Sequence, residues 1–287
     1  MRMNATCEAC LLGKYLPKHP EGTDARRICA YQEALRAVLP LCREGSAPEA
    51  AERIEALYRE HFGPVQAYEA VKRHFNALML RELPRMTGAV EAAADPLACA
   101  VRYAMAANFI DFGAMDSVDE ASLREQLAQH RDLPADVLAQ LRQEILSAEN
   151  LTYLTDNCGE IVADRLLISQ LRRINPALRV TVIVRGQPVL NDATLEDAAQ
   201  VRMTEVAQRV IGNGNGVAGT VLHRLSAEAA EAVSCADVII AKGQGNYESL
   251  SGCGLNVFYI FMCKCSLFTG RFGVPLYGGV LAREQGR

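Results

Sequence analysis

From residue 150 onward, short apolar runs alternate with stretches of helical spacing, and this alternation constrains the fold more than any other feature of the chain. Runs at 151–155, 178–184, 206–211, 237–241 and 255–263 are rich in β-branched and aromatic residues. Helical patterns separate them at 160–173, 194–200 and 226–235, and Glu248 opens a further short one. A small last strand is predicted at 280–282. Strand–helix alternation requires crossover connections and therefore a mostly parallel sheet. The run Val257-Phe258-Tyr259-Ile260-Phe261-Met262 carries no polar alternation, as expected of a strand covered on both faces.

Before residue 150 the sequence reads as helix. Ile28, Tyr31, Leu35 and Val38 mark one side of a helix over 24–41. Ser46 followed by Pro48 is a cap with an early-helix proline, opening a helix to about residue 62 that Gly63-Pro64 ends. Further helices are predicted over 65–83, from Pro96 to Phe112-Gly113, and from Pro134 through Ile145. The expected organisation is a helical bundle domain at 1–149 followed by an α/β domain at 150–287. With 287 residues, 50% of them apolar, the chain is long enough to bury a core in each.

Composition narrows the partners. A net charge of −4 without a basic stripe argues against nucleic acid. No apolar run approaches the roughly 18 residues a membrane span needs. The first residues, Met1-Arg2-Met3-Asn4-Ala5-Thr6-Cys7, lack an apolar secretory core. A soluble, cytoplasmic protein is expected, with no membrane partner. Of the 10 cysteines, Cys29, Cys42, Cys99 and Cys235 sit within apolar patterns and read as reduced, buried thiols.

Ligands of an open parallel sheet bind at the carboxyl ends of its strands. Those ends carry Asp156-Asn157-Cys158-Gly159-Glu160, then Asn191-Asp192, then Lys242-Gly243-Gln244-Gly245-Asn246, then Lys264. Asp156, Asn157 and Asp192 are oxygen donors suited to hard divalent cations such as Mg²⁺ or Mn²⁺. Lys242 and Lys264 supply positive charge for a phosphate. Gly159 allows close backbone approach, and a helix starting near Glu160 would aim its N–H groups at an anion. Each piece also has an ordinary reading. Asp156-Asn157 and Asp192 can cap the helices that follow them, Lys242-Gly243 can be a plain strand exit, and Lys264 can reach solvent along its aliphatic stem. Only a metal–phosphate site explains all of them together.

These segments resemble the damage-control phosphatase (ARMT-like) family, formerly a domain of unknown function. The resemblance rests on 156–160, on Asn191-Asp192-Ala193-Thr194, on 237–248, and on Lys264-Cys265. It extends to Asn108-Phe109-Ile110-Asp111-Phe112-Gly113 and to the pair Cys7 and Cys10, which is similar to one in the prokaryotic branch. It implies a helical domain joined to a Rossmann-like three-layer α/β/α domain. It also implies a phosphatase acting on small phosphorylated metabolites, such as sugar phosphates or damaged cofactor intermediates, with Mn²⁺, Co²⁺, Ni²⁺ or Mg²⁺. By position, Asp156, Asn157 and Asp192 would hold the metal. Lys242, Asn246 and Lys264 would meet the phosphate or the transition-state charge, and Glu160, Asn108 and Asp111 would border the site. Two routes of attack fit: water activated by the metal, or the Asp156 carboxylate itself.

Three features stand apart. Cys7-x-x-Cys10 fits buried thiols, a redox pair or half of a zinc site. The glycine-rich segment 211–219 lacks the Gly-Lys-Ser/Thr of a phosphate loop and reads as a flexible loop near the site. The histidines show no ligand spacing. A methyltransferase binding S-adenosylmethionine, or a metabolite-binding protein without catalysis, are the rival functions. The first would want a glycine-rich loop after the first strand, where Asp156-Asn157 stands instead.

Overall fold

The computed structural model describes residues 1–64, 67–111 and 119–284. Among the described residues seven α-helices come first: α1 (Ala5–Tyr15), α2 (Ala25–Val38), α3 (Ala47–Phe62), α4 (Glu69–Ala92), α5 (Pro96–Ala107), α6 (Glu120–Ala128) and α7 (Ala135–Ser147). Strands and helices then alternate as β1 (Asn150–Leu154), α8 (Glu160–Ile174), β2 (Arg179–Val184), α9 (Leu195–Gln200), β3 (Arg209–Gly212), α10 (Ala227–Ser234), β4 (Val238–Lys242), α11 (Gln244–Leu250), β5 (Val257–Met262), α12 (Ser266–Phe272) and β6 (Gly279–Glu284). They build one sheet of 6 strands in the order β3-β2-β1-β4-β5-β6, parallel except for β6 against β5. The chain leaves β1 toward β2 and β3, then returns to the other side of β1 with β4. The switch therefore lies between β1 and β4, where a ligand crevice opens.

Side chains alternate across the strands and define two buried faces. Tyr153, Val182, Ile240, Phe258 and Ile260 belong to one core, with Leu78, Met86, Val101, Ile145 and Leu167 of α4, α5, α7 and α8. Leu154, Ile183, Ile239, Tyr259 and Phe261 belong to the other, with Val233, Leu250 and Phe268 of α10, α11 and α12. This is a three-layer α/β/α arrangement. Helices of the amino-terminal half supply part of one outer layer, so the apolar core runs across the expected boundary at 149/150. A separate small core joins α1, α2 and α3 around Tyr15, Tyr31, Leu35 and Ile54.

The sequence-based strand positions agree with the structure to within three residues. The helices differ in instructive places. The expected stop before Pro84 does not occur, because α4 runs on to Ala92 with Pro84 inside it. Met86 and Val90, both 0% exposed, bury beyond that proline, and their burial outweighs the lost backbone hydrogen bond. The helix from Pro96 ends at Ala107, and the expected continuation at Phe112-Gly113 lies outside the described residues, as does the expected start at Val65. Helices α1, α6 and α12 were not predicted. In α1 only Tyr15 is fully buried, so no apolar stripe announces it; Asn4 caps it by accepting from the Cys7 N–H at 3.0 Å. Among the described residues no helix is long and apolar enough to cross a membrane.

Candidate active site

The loops after β1 and β2 are stitched to each other by backbone hydrogen bonds. Cys158 N donates to Asn191 O at 2.8 Å, Ala193 N donates to Asp156 O at 2.7 Å, and Asn157 and Asp192 form an isolated antiparallel bridge. This pairing holds Asp156, Asn157 and Asp192 side by side over the crevice. The capping readings do not hold: α8 is capped by Gly159 and α9 by Thr194, the latter in a capping box with Asp197.

A cavity of about 290 Å³ lies over these three residues. Asp111, Asp156, Asn157, Asp192 and Lys264 line it from below and from the side; Cys7, Cys10 and Leu11 of α1, Pro48 of α3 and Glu248 of α11 form other walls. Asn108, Gly159, Glu160, Lys242 and Asn246 are not among its lining residues.

The Asp156 carboxylate is 6% exposed and held on both oxygens. Asn108 Nδ2 and Asn157 Nδ2 donate to Oδ2 at 3.1 and 2.8 Å, and Arg185 Nη2 approaches Oδ1 at 3.5 Å. Both amides also donate to Glu160 Oε2, at 2.8 and 2.9 Å. Asn157 thus turns its NH₂ toward both carboxyl groups. Its Oδ1 then has no donor among the described residues. Gly243 makes room for Asp156: a Cβ on that glycine, built at φ +80°, would lie 2.0 Å from Asp156 Oδ2.

Arg185, directly after β2, joins the two aspartates. Its Nε donates to Asp192 Oδ2 at 2.6 Å, and its Nη1 donates to Gly219 O and Asn246 Oδ1 at 3.0 and 3.3 Å. One guanidinium thus faces two buried carboxylates. Burial raises the pKa of Asp156 well above the usual carboxylate range, and the neighbouring charges of Asp192, Glu160 and Asp111 raise it further, while Arg185 opposes them. Burial also lifts Asp192, to about 6, with Arg185 pulling the other way. With both aspartates ionised, one guanidinium faces two negative charges. Two carboxylates and an unengaged amide oxygen form a hard oxygen donor set that fits a divalent cation.

Lys242 and Lys264, alike in the sequence, lie in different surroundings. Lys264 Nζ donates to Asp111 Oδ2 at 2.6 Å beside the cavity. Lys242 is 0% exposed, and its Nζ donates to Ala104 O, Glu160 Oε1 and Asp164 Oδ1 at 2.9, 2.6 and 2.8 Å. All three ammonium protons are taken. Burial works against its charge, but the Asp164 and Glu160 carboxylates more than reverse this and hold its pKa above the usual lysine value. Asn246, expected at the phosphate, instead donates to Thr155 O and Lys242 O and accepts from Thr220 Oγ1, tying β1 to β4. Gly159 approaches protein rather than a ligand: its N–H donates to Asn76 Oδ1 at 2.6 Å, and an added Cβ would meet Ile110 at 2.8 Å.

Arg185, Asp164, Tyr153 and Glu248 escaped the sequence reading. A signal for Arg185 existed, since it follows a buried strand at the same sheet edge as Asp156. The glycine-rich segment is held by side chains: Asn213 Oδ1 accepts from Gly186 N and Asn215 N at 2.7 and 3.0 Å. Cys7 and Cys10 are free thiols on the cavity wall, and burial raises the Cys7 pKa. Among the described residues no group of three or more His, Cys, Asp or Glu is placed to hold a metal ion; the Asp156–Asn157–Asp192 set is two carboxylates and an amide.

The sequence matches the damage-control phosphatase ARMT1-like domain over residues 3–280. A damage-control phosphatase from Archaeoglobus fulgidus is 31% identical over 290 residues, covering 99% of this chain and 99% of that protein. Another, from Pyrococcus horikoshii, is 36% identical over 187 residues, 65% of this chain and 64% of that protein. The crystal structure of a DUF89 family protein from Pyrococcus horikoshii shares the fold, with a TM-score of 0.78 at 24% identity over 99% of this chain and 100% of that one. The match spans the helical half and the strand ends alike, and the chain belongs to the damage-control phosphatase ARMT1-like family.

Proposed function

We infer that this protein is a divalent-metal-dependent phosphomonoesterase acting on small phosphorylated metabolites. One observation carries the reading: the buried Asp156 and Asp192 carboxylates meet, with the Asn157 amide, on the floor of a single cavity and are only partly neutralised. Membership of a phosphatase family supports the reaction class. Asp156, Asn157 and Asp192 would hold the cation, with Mn²⁺, Co²⁺, Ni²⁺ and Mg²⁺ as the candidates. Once bound, it would supply Lewis-acid stabilisation of charge on the phosphoryl oxygens.

The chain's own residues do the rest. Lys264 offers an ammonium at the cavity wall for a phosphoryl oxygen. Arg185 keeps Asp192 oriented from behind, and Asn108 with Glu160 does the same for Asp156 and Asn157. Holding the cation would engage the Asp156 carboxylate, which disfavours it as nucleophile and favours attack by water.

The test is hydrolysis of a panel of sugar phosphates and an aryl phosphate by chelator-treated protein, with each cation added back singly. Turnover that appears only with metal, and disappears in Asp192→Asn, is expected. Undiminished turnover by metal-free protein would overturn the metal assignment. Isolation of an aspartyl phosphate at Asp156 would overturn attack by water.

A further inference from the structure

Glu248 lines the same cavity as Asp156 and Asp192 but touches neither. It sits in α11, and its Oε1 accepts from Gln244 Nε2 at 3.0 Å. That amide is itself placed: Gln244 Oε1 accepts from Lys264 N at 3.2 Å, and Nε2 also reaches Cys265 Sγ at 3.6 Å. Among the described residues no donor reaches Glu248 Oε2. A carboxylate with one engaged and one unengaged oxygen, facing a cavity, awaits a donor. Two cations among the described residues line the cavity, Lys14 and Lys264, and Lys264 pairs with Asp111 at 2.6 Å. Surrounding walls contributed by Leu11, Pro48 and Leu267 offer no hydrogen bonds.

We propose that Glu248 is a specificity-determining residue of the phosphatase site: its Oε2 accepts a hydrogen bond from a hydroxyl of the leaving group, and its charge rejects esters bearing a second anionic group. This rests on the phosphatase reading given above. It narrows the substrate class to monophosphates of small, hydroxylated, otherwise uncharged alcohols. An ester lacking the hydroxyl would leave the carboxylate desolvated and unpaired. A carboxylated or doubly phosphorylated ester would place like charges together in a partly closed space.

Glycerol 3-phosphate, propyl phosphate and 3-phosphoglycerate form a matched series of similar size, differing in the hydroxyls and the second charge. In wild-type protein assayed at pH 8, where the Glu248 carboxyl is ionised, kcat/KM for glycerol 3-phosphate is expected to exceed that of either other ester by tenfold or more, roughly one charge-assisted hydrogen bond. In Glu248→Gln both ratios should shrink to within about threefold, mainly through KM. Glu248→Asp keeps the charge but withdraws the oxygen, so it should lose the preference over propyl phosphate and retain the rejection of 3-phosphoglycerate. Thermal melting of each variant checks that it is folded. Ratios in Glu248→Gln equal to those of wild type would overturn the proposal while leaving the phosphatase reading intact. Failure of the wild type to hydrolyse any of the three esters or an aryl phosphate, with every cation, would instead defeat the phosphatase reading and this proposal with it.

Discussion

Two charged clusters sit one behind the other in this protein, each with two carboxylates around one cation. At the cavity floor, Asp156 and Asp192 share Arg185. Behind it, Glu160 and Asp164 share Lys242, with Tyr153 donating to Asp164 Oδ1 at 2.7 Å. The rear cluster is closed off: Lys242, Glu160 and Asp164 are each 0% exposed. The front cluster opens on a cavity and leaves the Asn157 amide oxygen available. Glu160 connects the two, since it binds Lys242 through Oε1 and the Asn108 and Asn157 amides through Oε2. The lesson is that charge composition alone does not separate a reactive site from its support. What separates them is access: Asp164 Oδ2 also lacks a partner but is sealed in the interior, whereas Asn157 lines a cavity that a ligand can enter.

Substitutions can break this comparison, and the largest effect is expected at the front. Asp156→Asn and Asp192→Asn should each lower kcat/KM by about 10³ or more while circular dichroism stays native. Near-normal turnover in either folded variant would remove the site assignment. At the rear, Lys242→Met strands two buried carboxylates and should cost about 3–5 kcal/mol in urea unfolding. Lys264→Met also breaks an ion pair whose lysine side chain is only 3% exposed, but its Asp111 partner faces the cavity, so it should cost less stability than Lys242→Met and act on kcat/KM as well. A stable, folded Lys242→Met with a selective fall in kcat would place that lysine at the chemistry after all.

Gly243→Ala probes the join between the clusters, because its Cβ would strike Asp156 Oδ2. A displacement of about 1 Å should lower kcat by roughly 10², and unchanged kinetics would show that Asp156 tolerates the shift. The smallest expected effect is on the cavity wall. Burial raises the Glu248 pKa from 4.5 to about 7. The folded protein therefore binds this proton more tightly than the unfolded chain does, and stability falls as pH rises from 4.5 toward 7. In metal-free protein Glu248→Gln should remove that decline, a gain on the order of 2 kcal/mol at pH 8 after allowing for residual exposure. Urea midpoints measured at pH 5 and pH 8 decide it: an equal pH dependence in variant and wild type would break the prediction.

The sequence was informative wherever the signal was local. Apolar runs such as Val257–Met262 marked strands because a doubly covered strand needs apolar side chains on both faces. Strand ends then pointed to Asp156, Asn157, Asp192 and Lys264, since backbone continuity alone carries those residues to one sheet edge. The tertiary structure decided everything that depended on neighbours distant in sequence. It turned Lys242 toward Glu160 and Asp164, because α8 and α5 close over that end of β4. It recruited Arg185 between two aspartates and laid α1 over the cavity, although neither has a distinctive local pattern. An extended strand and an amphipathic helix are properties of a few consecutive residues. Which face of a side chain finds water, a cavity or a counter-charge is set by lateral packing that no short window of sequence contains.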